Sequence, residues 1–429
     1  MNFVQNLSRI SAIALKMINT FQTKLEIEEI ATKSMLDQST TPTYDIENEV
    51  LSRYQAGAQE HEPSLCCPTD YQDVQYLDVI PDEILTKDYG CGDPTRYAEV
   101  GDVVVDLGSG AGKNCYMVAQ KVGATGKVIG VDFNDVMLTL ARKYQQDIGG
   151  KIGFTNTEFV KGKIQDLKLP LDALQTWFTE NPITSVEQLA NYEAEAERLR
   201  EKTPLIADDS VDLVISNCVL NLVKPSDKKQ LFQEIYRVLK KGGRAVISDI
   251  VCDEVPTAKI MNDPELWSGC ISGAFLESEF LEMFADAGFH GIEILSFEKE
   301  PWQTIDGIEF RSMTVRAYKG KEGVCLERNQ AVIYKGPWKE IKDDDGHTYY
   351  RGERMAVCDK TFNLLTNENS PYAGQFISVL PYDNIELENA ATFNCRVDAR
   401  RHPKESKGQD YNVTDLADGA ASCSTDSCC

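Results

Sequence analysis

No apolar run in this 429-residue chain approaches the roughly 18 uncharged residues that a membrane span requires, and Lys16 interrupts the best candidate near the N-terminus. A transmembrane reading is excluded on that ground. Positive charge is also short: 44 lysines and arginines stand against 68 acids, a formal net charge of -24. That balance repels phosphate backbones and anionic lipid, so the expected partner is a small molecule, with no nucleic acid and no membrane. There is no clean secretory signal and no internal repeat, and only four histidines occur.

Cysteine, by contrast, is abundant at 13 residues. An odd count in a long chain without a secretory signal does not fit a disulfide scaffold, so the thiols are expected to be reduced and the location cytoplasmic. The N-terminus offers an alternative. Arg9, Lys16 and Lys24 precede the first acid, and Phe3, Leu7, Ile10 and Ala14 fall at helical spacing, as in a presequence for organelle import or in a plain amphipathic helix.

Four regions emerge along the chain. Residues 1–45 read as an extension that ends in Ser39-Thr40-Thr41-Pro42-Thr43. Within 46–320, a helical lead-in from Ile46 to Gln59 is followed by β-branched runs alternating with amphipathic helical patterns: Val103 to Leu107, Val128 to Asp132, Glu158 to Lys161, Val211 to Ser216, Arg244 to Asp249 and Thr314 to Tyr318. This alternation predicts an α/β fold, a doubly wound, mostly parallel Rossmann-like sheet. Helices inserted at 171–200, with Trp177, Val186, Leu189, Tyr192 and Ala196 on one face, are expected to pack as a flap on the sheet edge. Residues 321–403, with an Asp343-Asp344-Asp345-Gly346 turn signal, predict a small β-rich or mixed C-terminal domain, and 404–429 a polar tail with Cys423, Cys428 and Cys429.

The first strand runs into Asp106-Leu107-Gly108-Ser109-Gly110-Ala111-Gly112. Such a turn lets the backbone approach a cofactor at the carboxyl end of a parallel strand, and Asp132 follows about 20 residues on, where a ribose-binding acid belongs. A bare glycine turn also serves nicotinamide and flavin enzymes, which rest a pyrophosphate on it. Asp106 discriminates, because a carboxylate there repels a pyrophosphate and attracts the cationic amino-acid end of S-adenosylmethionine. The third strand leads into Gly162-Lys163-Ile164-Gln165, a place for adenine contacts. The cofactor-binding set is therefore Asp106, Gly108, Ser109, Gly110, Gly112, Asp132, Phe133, Met137, Ile164, Gln165 and Asn217.

Four cysteine positions fall on loops where chemistry would occur on such a sheet. Cys66 and Cys67 are adjacent. Cys91 lies in Tyr89-Gly90-Cys91-Gly92, between glycines that free the backbone. Cys218 follows the fourth strand in Ser216-Asn217-Cys218-Val219, and Cys270 follows the fifth in Ser268-Gly269-Cys270-Ile271-Ser272-Gly273-Ala274. Cys115 and Cys252 read as buried packing. Cys325, Cys358 and Cys395 either pack likewise or form a separate soft-metal site, and a zinc site on Cys66, Cys67 and Cys91 lacks the usual ligand spacing.

With these motifs, from about Leu65 to Tyr318, the sequence resembles the arsenite S-adenosylmethionine methyltransferases. The resemblance implies that Cys91, Cys218 and Cys270 bind arsenic(III) as thiolates, with Cys66 or Cys67 assisting by thiol exchange. Soft thiolate sulfur suits a thiophilic element, and three thiolates leave its lone pair as the nucleophile. No general base is then needed, in keeping with the few histidines. Methylation raises the oxidation state of arsenic, so a thiol reductant such as glutathione or thioredoxin is implied as co-substrate. The reading is of a monomer acting in arsenic detoxification. The alternatives are a methyltransferase for another thiophilic or small organic acceptor, and a catalytically inactive metalloid-binding protein.

Overall fold

The computed structural model describes residues 45–59, 62, 71–87, 89–395 and 399–407. The expectations for the extension at 1–44, for Cys66 and Cys67, and for the tail thiols Cys423, Cys428 and Cys429 lie outside the described residues. At the centre is a mostly parallel sheet. Strands β1 (Val103–Leu107), β2 (Lys127–Asp132), β3 (Thr157–Lys161), β4 (Val211–Asn217) and β5 (Leu239–Cys252) stand in the order β3-β2-β1-β4-β5. The sheet then continues with β9 (Ile308–Tyr318) and β7 (His290–Phe297), both pairings antiparallel. Short strands β6 (Phe275–Leu276) and β8 (Gln303–Ile305) attach to β5 and β9.

The central strands are β-branched runs with no polar alternation because helices cover both faces. On one face, Cys115 to Val122 of α2 (Lys113–Val122) and Met137 and Leu138 of α3 (Asp135–Lys143) pack over Val104, Val128, Leu213 and Ile215. On the other, Leu231, Phe232, Ile235 and Val238 of α6 (Pro225–Val238) meet, beyond the short helix α7 (Pro264–Ser268), Phe280 and Phe284 of α8 (Glu277–Asp286). Between β1 and β4 the winding reverses, and the carboxyl ends of the strands part there. A ligand crevice belongs at such a switch point, and both the glycine turn after β1 and Asn217-Cys218 after β4 open onto it.

The structure departs from the sequence reading in three places. The inserted segment is a helix pair, α4 (Leu171–Glu180) and α5 (Val186–Lys202), beside the edge strand β3. Its inner face, however, is Leu174, Ala196 and Leu199, whereas Val186 and Leu189 are 84% and 44% exposed. The first turn of α5 stays largely exposed, while Tyr192 packs against Trp177 and Phe178 and the later turns reach Leu174. Second, β5 begins at Leu239, so Gly242 and Gly243 lie within the strand. Third, the antiparallel strand β7 has no counterpart among the expected strands.

After β9 come small antiparallel sheets formed from β10 (Leu326–Glu327), β11 (Ala331–Tyr334), β12 (Glu340–Lys342), β13 (Thr348–Tyr350), β14 (Arg354–Ala356), β15 (Phe376–Val379) and β16 (Ala391–Thr392). With α9 (Asp359–Thr366) they enclose a core of their own around Val332, Tyr349, Met355, Phe362 and Phe376. Among the described residues no helix is long and apolar enough to cross a membrane.

Candidate active site

The crevice is a cleft of about 1080 Å³ that includes its mouth. Its floor is Gly108 to Ala111, one wall is Asp132, Phe133, Asn134 and Met137, another is Lys163, Ile164 and Gln165, and Asn217, Cys218 and Val219 close the far end. The helix α1 (Ile46–Gln59) lies across it, contributing Glu47, Val50, Leu51 and Tyr54.

The glycines are dictated by space. A side chain at Gly108 would place its Cβ 2.5 Å from Val219 at a φ of +70°, whereas Gly110, at φ +51°, meets nothing within 4 Å and faces open room. Asp132 accepts from the Gly110 and Asn134 amides, at 2.9 and 2.8 Å, which pins the turn to the end of β2. Burial still raises its carboxyl above the usual carboxylate range, and hydroxyl donors would favour the charged form.

Two polar atoms lining the cleft, Ser109 Oγ and Asn134 Nδ2, are buried without a partner among the described residues. Buried polar groups are otherwise nearly always paired. These atoms, with the glycine floor and Asp132, fit an adenosyl ligand.

Ser109, Phe133, Met137, Ile164 and Gln165 are all brought to the cleft, but three other members of the expected cofactor set are placed differently. Asp106 is 2% exposed and does not line the cleft; its Oδ2 accepts from the Cys115 thiol at 3.2 Å. From there it would act on a cationic ligand end through its field. Gly112 closes the turn into α2 in the left-handed region, against Phe159. Asn217 reaches the cleft, but its Oδ1 accepts from the Cys91 and Gly92 amides at 2.9 and 3.1 Å and its Nδ2 donates to the Gly92 carbonyl at 2.8 Å. Its amide is thus spent on the cysteine loop.

The thiols gather at this end. Cys91, Cys218 and Cys270 pack in one cluster with Ile250 and Cys252, as thiols rather than disulfides. The Cys91 and Cys218 sulfurs and a carboxylate oxygen of Asp249 lie within 4.8 Å of one another. Cys270 Sγ donates to the Cys218 carbonyl at 3.1 Å. Cys218 borders the cleft, while Cys91 and Cys270 are buried behind it.

Both Cys218 and Cys270 hold φ at +63°. Non-glycine residues rarely adopt that conformation, and it concentrates at functional sites. The glycines beside Cys91 serve close approach rather than backbone freedom, since neither has a positive φ. A Cβ at Gly90 would lie 2.5 Å from Asn217 Nδ2, and one at Gly92 would lie 2.6 Å from Ser248 Oγ.

Three residues outside the sequence-derived set belong to this site. Asp249, fully buried, accepts from the Leu220, Asn221 and Ile250 amides, and burial pushes its carboxyl up to about 6. An acid ending the apolar run Ala245-Val246-Ile247 was the available signal. Asn221 donates to the Ile250 and Cys270 carbonyls at 2.7 and 3.2 Å. Tyr54 is hydrogen-bonded to the Cys270 thiol; burial, then the Cys270 and Cys218 sulfurs, hold its hydroxyl well above the usual phenol range.

A family model described as a methyltransferase domain matches residues 98–203 and 181–288, and one described as a domain of unknown function matches 321–411. An arsenite methyltransferase of Aquipseudomonas alcaligenes is 30% identical over 347 residues, which span 74% of this chain and 89% of that protein. Its counterpart in Mus musculus is 31% identical over 313 residues, spanning 70% of this chain and 73% of that protein. Among solved structures, an arsenic(III) S-adenosylmethionine methyltransferase of Chlamydomonas reinhardtii aligns with a TM-score of 0.48 and 26% identity, over 76% of this chain and 100% of that one.

A switch-point cleft floored by this glycine turn, on a sheet of this order, defines a class I S-adenosylmethionine-dependent methyltransferase. Within that class, the chain belongs to the arsenite methyltransferase family.

Proposed function

We propose that this enzyme methylates trivalent arsenic: arsenite held by Cys91, Cys218 and Cys270, and methylarsenite, which has two exchangeable hydroxyls, held by two of them. The observation that carries the reading is the gathering of the three cysteines at the end of the cleft, Cys218 and Cys270 on left-handed backbone and Cys218 bordering the cleft itself. Arsenite binds by exchange: three As–O bonds give way to three As–S bonds, and the thiol protons leave with the hydroxyls as three waters. S-adenosylmethionine supplies an electrophilic methyl group on a sulfonium.

Ser109, Gly110, Asp132 and Asn134 would hold that donor, and the Cys218 loop would hold the acceptor beside it, so the protein's contribution is alignment. The arsenic lone pair takes the methyl group with no proton to remove. Arsenic rises formally from +3 to +5, and two electrons from external thiols, glutathione or thioredoxin, return it to +3. Asn217 and Asn221 position Cys91 and Cys270. A cytoplasmic monomer acting in arsenic detoxification completes the reading.

Purified protein given arsenite, S-adenosylmethionine and thiol should yield methylated arsenicals. Cys91→Ser, Cys218→Ser and Cys270→Ser should each lower the rate at least about 100-fold, as loss of alignment does, while S-adenosylhomocysteine still binds. Turnover retained after Cys218→Ser, or no methylated arsenical from folded, cofactor-bound protein, would overturn the reading.

A further inference from the structure

The C-terminal unit carries a second group of thiols that the methylation centre does not use. Cys325 precedes β10, Cys358 stands just before α9, and Cys395 follows β16. Their sulfurs lie within 4.8 Å of one another, as thiols rather than disulfides. Packing does not call for them, because the core of this unit is built from aromatic and aliphatic side chains without cysteine.

Each sulfur is delivered by defined structure. Antiparallel pairing of β10 with β16, extended by the Phe393 amide donating to the Cys325 carbonyl at 2.9 Å, brings Cys325 and Cys395 together. Cys358 caps α9, with its sulfur 3.3 Å from Thr361 Oγ1, and a helix N-terminus favours the thiolate. Burial pushes the Cys358 thiol up, but hydrogen bonds from Thr361, Cys395 and Cys325 outweigh it and leave the group below the ordinary thiol value.

The nearby His347 is committed elsewhere. Its Nδ1 is 2.8 Å from Asp343 Oδ2, and the ring is also hydrogen-bonded to the Cys395 backbone, so it steadies the loop that carries this sulfur. Among the described residues, no fourth cysteine, histidine or carboxylate joins the three sulfurs.

We propose that Cys325, Cys358 and Cys395 form a second binding site for trivalent arsenic, separate from the methylation centre. The inference rests on the reading that this enzyme handles trivalent arsenic. The number of ligands selects the element. Structural zinc takes four ligands, commonly with cysteines paired two to four residues apart, whereas here three single cysteines come from three segments. Trivalent arsenic makes three bonds and keeps its lone pair. Binding exchanges three hydroxyls of arsenite for three sulfurs and releases three waters, with no change of oxidation state. The site ties together β10, α9 and the segment after β16.

The test uses the full-length chain with serine at Cys423, Cys428 and Cys429, incubated with arsenite alone and freed of excess. Two arsenic atoms per chain are expected. Adding Cys358→Ser and Cys395→Ser should leave one atom with methylation unchanged; adding Cys91→Ser and Cys218→Ser should leave one with methylation abolished. In the natural protein, saturating arsenite should shield Cys325, Cys358 and Cys395 together from alkylation, a readout that needs no variant to fold. Unchanged stoichiometry in the Cys358→Ser, Cys395→Ser protein, failure of that shielding, or a zinc ion on these thiols that arsenite does not displace would overturn the proposal. Shielding in a protein that makes no methylated arsenical would support it and count only against the methylation reading.

Discussion

The side chains that aim the active-site thiols are amides and a carboxylate, and each does so through backbone. Asn217 holds Cys91 by two accepted hydrogen bonds, and Asn221 holds Cys270 through its carbonyl. Asn217→Ala leaves the Cys91 and Gly92 amides without that acceptor, a loss of about 1–3 kcal/mol for an unsatisfied buried donor. The KM for arsenite should rise more than that for S-adenosylmethionine, as initial rates against each substrate would show. Asp249 is bound more deeply, with three backbone amides on its two oxygens. Asp249→Ala should lower stability by about 3 kcal/mol or more, visible as a fall in denaturation midpoint. Asp249→Asn, which keeps one accepting oxygen, should lose less.

Among the elements, α1 is the piece that covers the cleft. Glu47 pairs with Lys163 at 2.7 Å and approaches Gln165, while Arg53 donates to the Glu265 carbonyl and Ser268 Oγ. Because the Glu47–Lys163 pair is partly exposed, it is worth about 1 kcal/mol at most. Glu47→Ala should therefore weaken S-adenosylhomocysteine binding by no more than about fivefold, measured by calorimetric titration. The central strands were legible in the sequence because β1, β2 and β4 are largely buried on both faces and read as short apolar runs rich in β-branched residues. Strand β7 was not, since it opens at His290-Gly291 and breaks register twice against β9. The stripe of α5 was misjudged because helical spacing fits Leu189 and Leu199 equally well, and only the position of β3 decides between them. The cysteine motifs pointed to the site. Asn221 and Tyr54 carry no local pattern, Asp249 only the apolar run before it, and folding alone brings all three to the sulfurs.

At the scale of the whole molecule, two units meet along β7. His290 is buried there between the rings of Tyr318 and Tyr372, and Tyr236 bonds Glu322 across the seam. Burial, then Lys321, pushes the His290 imidazole down from 6.5 to about 4. The fold thus favours the neutral ring, and the unfolded chain takes up the proton first. Stability is fully present above pH 6.5 and is lost as pH falls toward 4, by about 3 kcal/mol. Denaturant titrations at pH 7 and pH 4 should show this loss in the natural protein and a smaller one in His290→Phe, which keeps the stacking without the titration. The left-handed backbone at Cys218 and Cys270 has a consequence of its own. Free thiols capture arsenite as three independent molecules, and the complex loosens with the third power of their dilution. Here the sulfurs are gathered when the chain folds, so in the proposed function the protein would act as a chelator whose local thiol concentration is set by geometry. Its hold on arsenic should then withstand dilution of the protein, while a rise in competing cellular thiols, three of which are released for each arsenic bound, should draw the metalloid off.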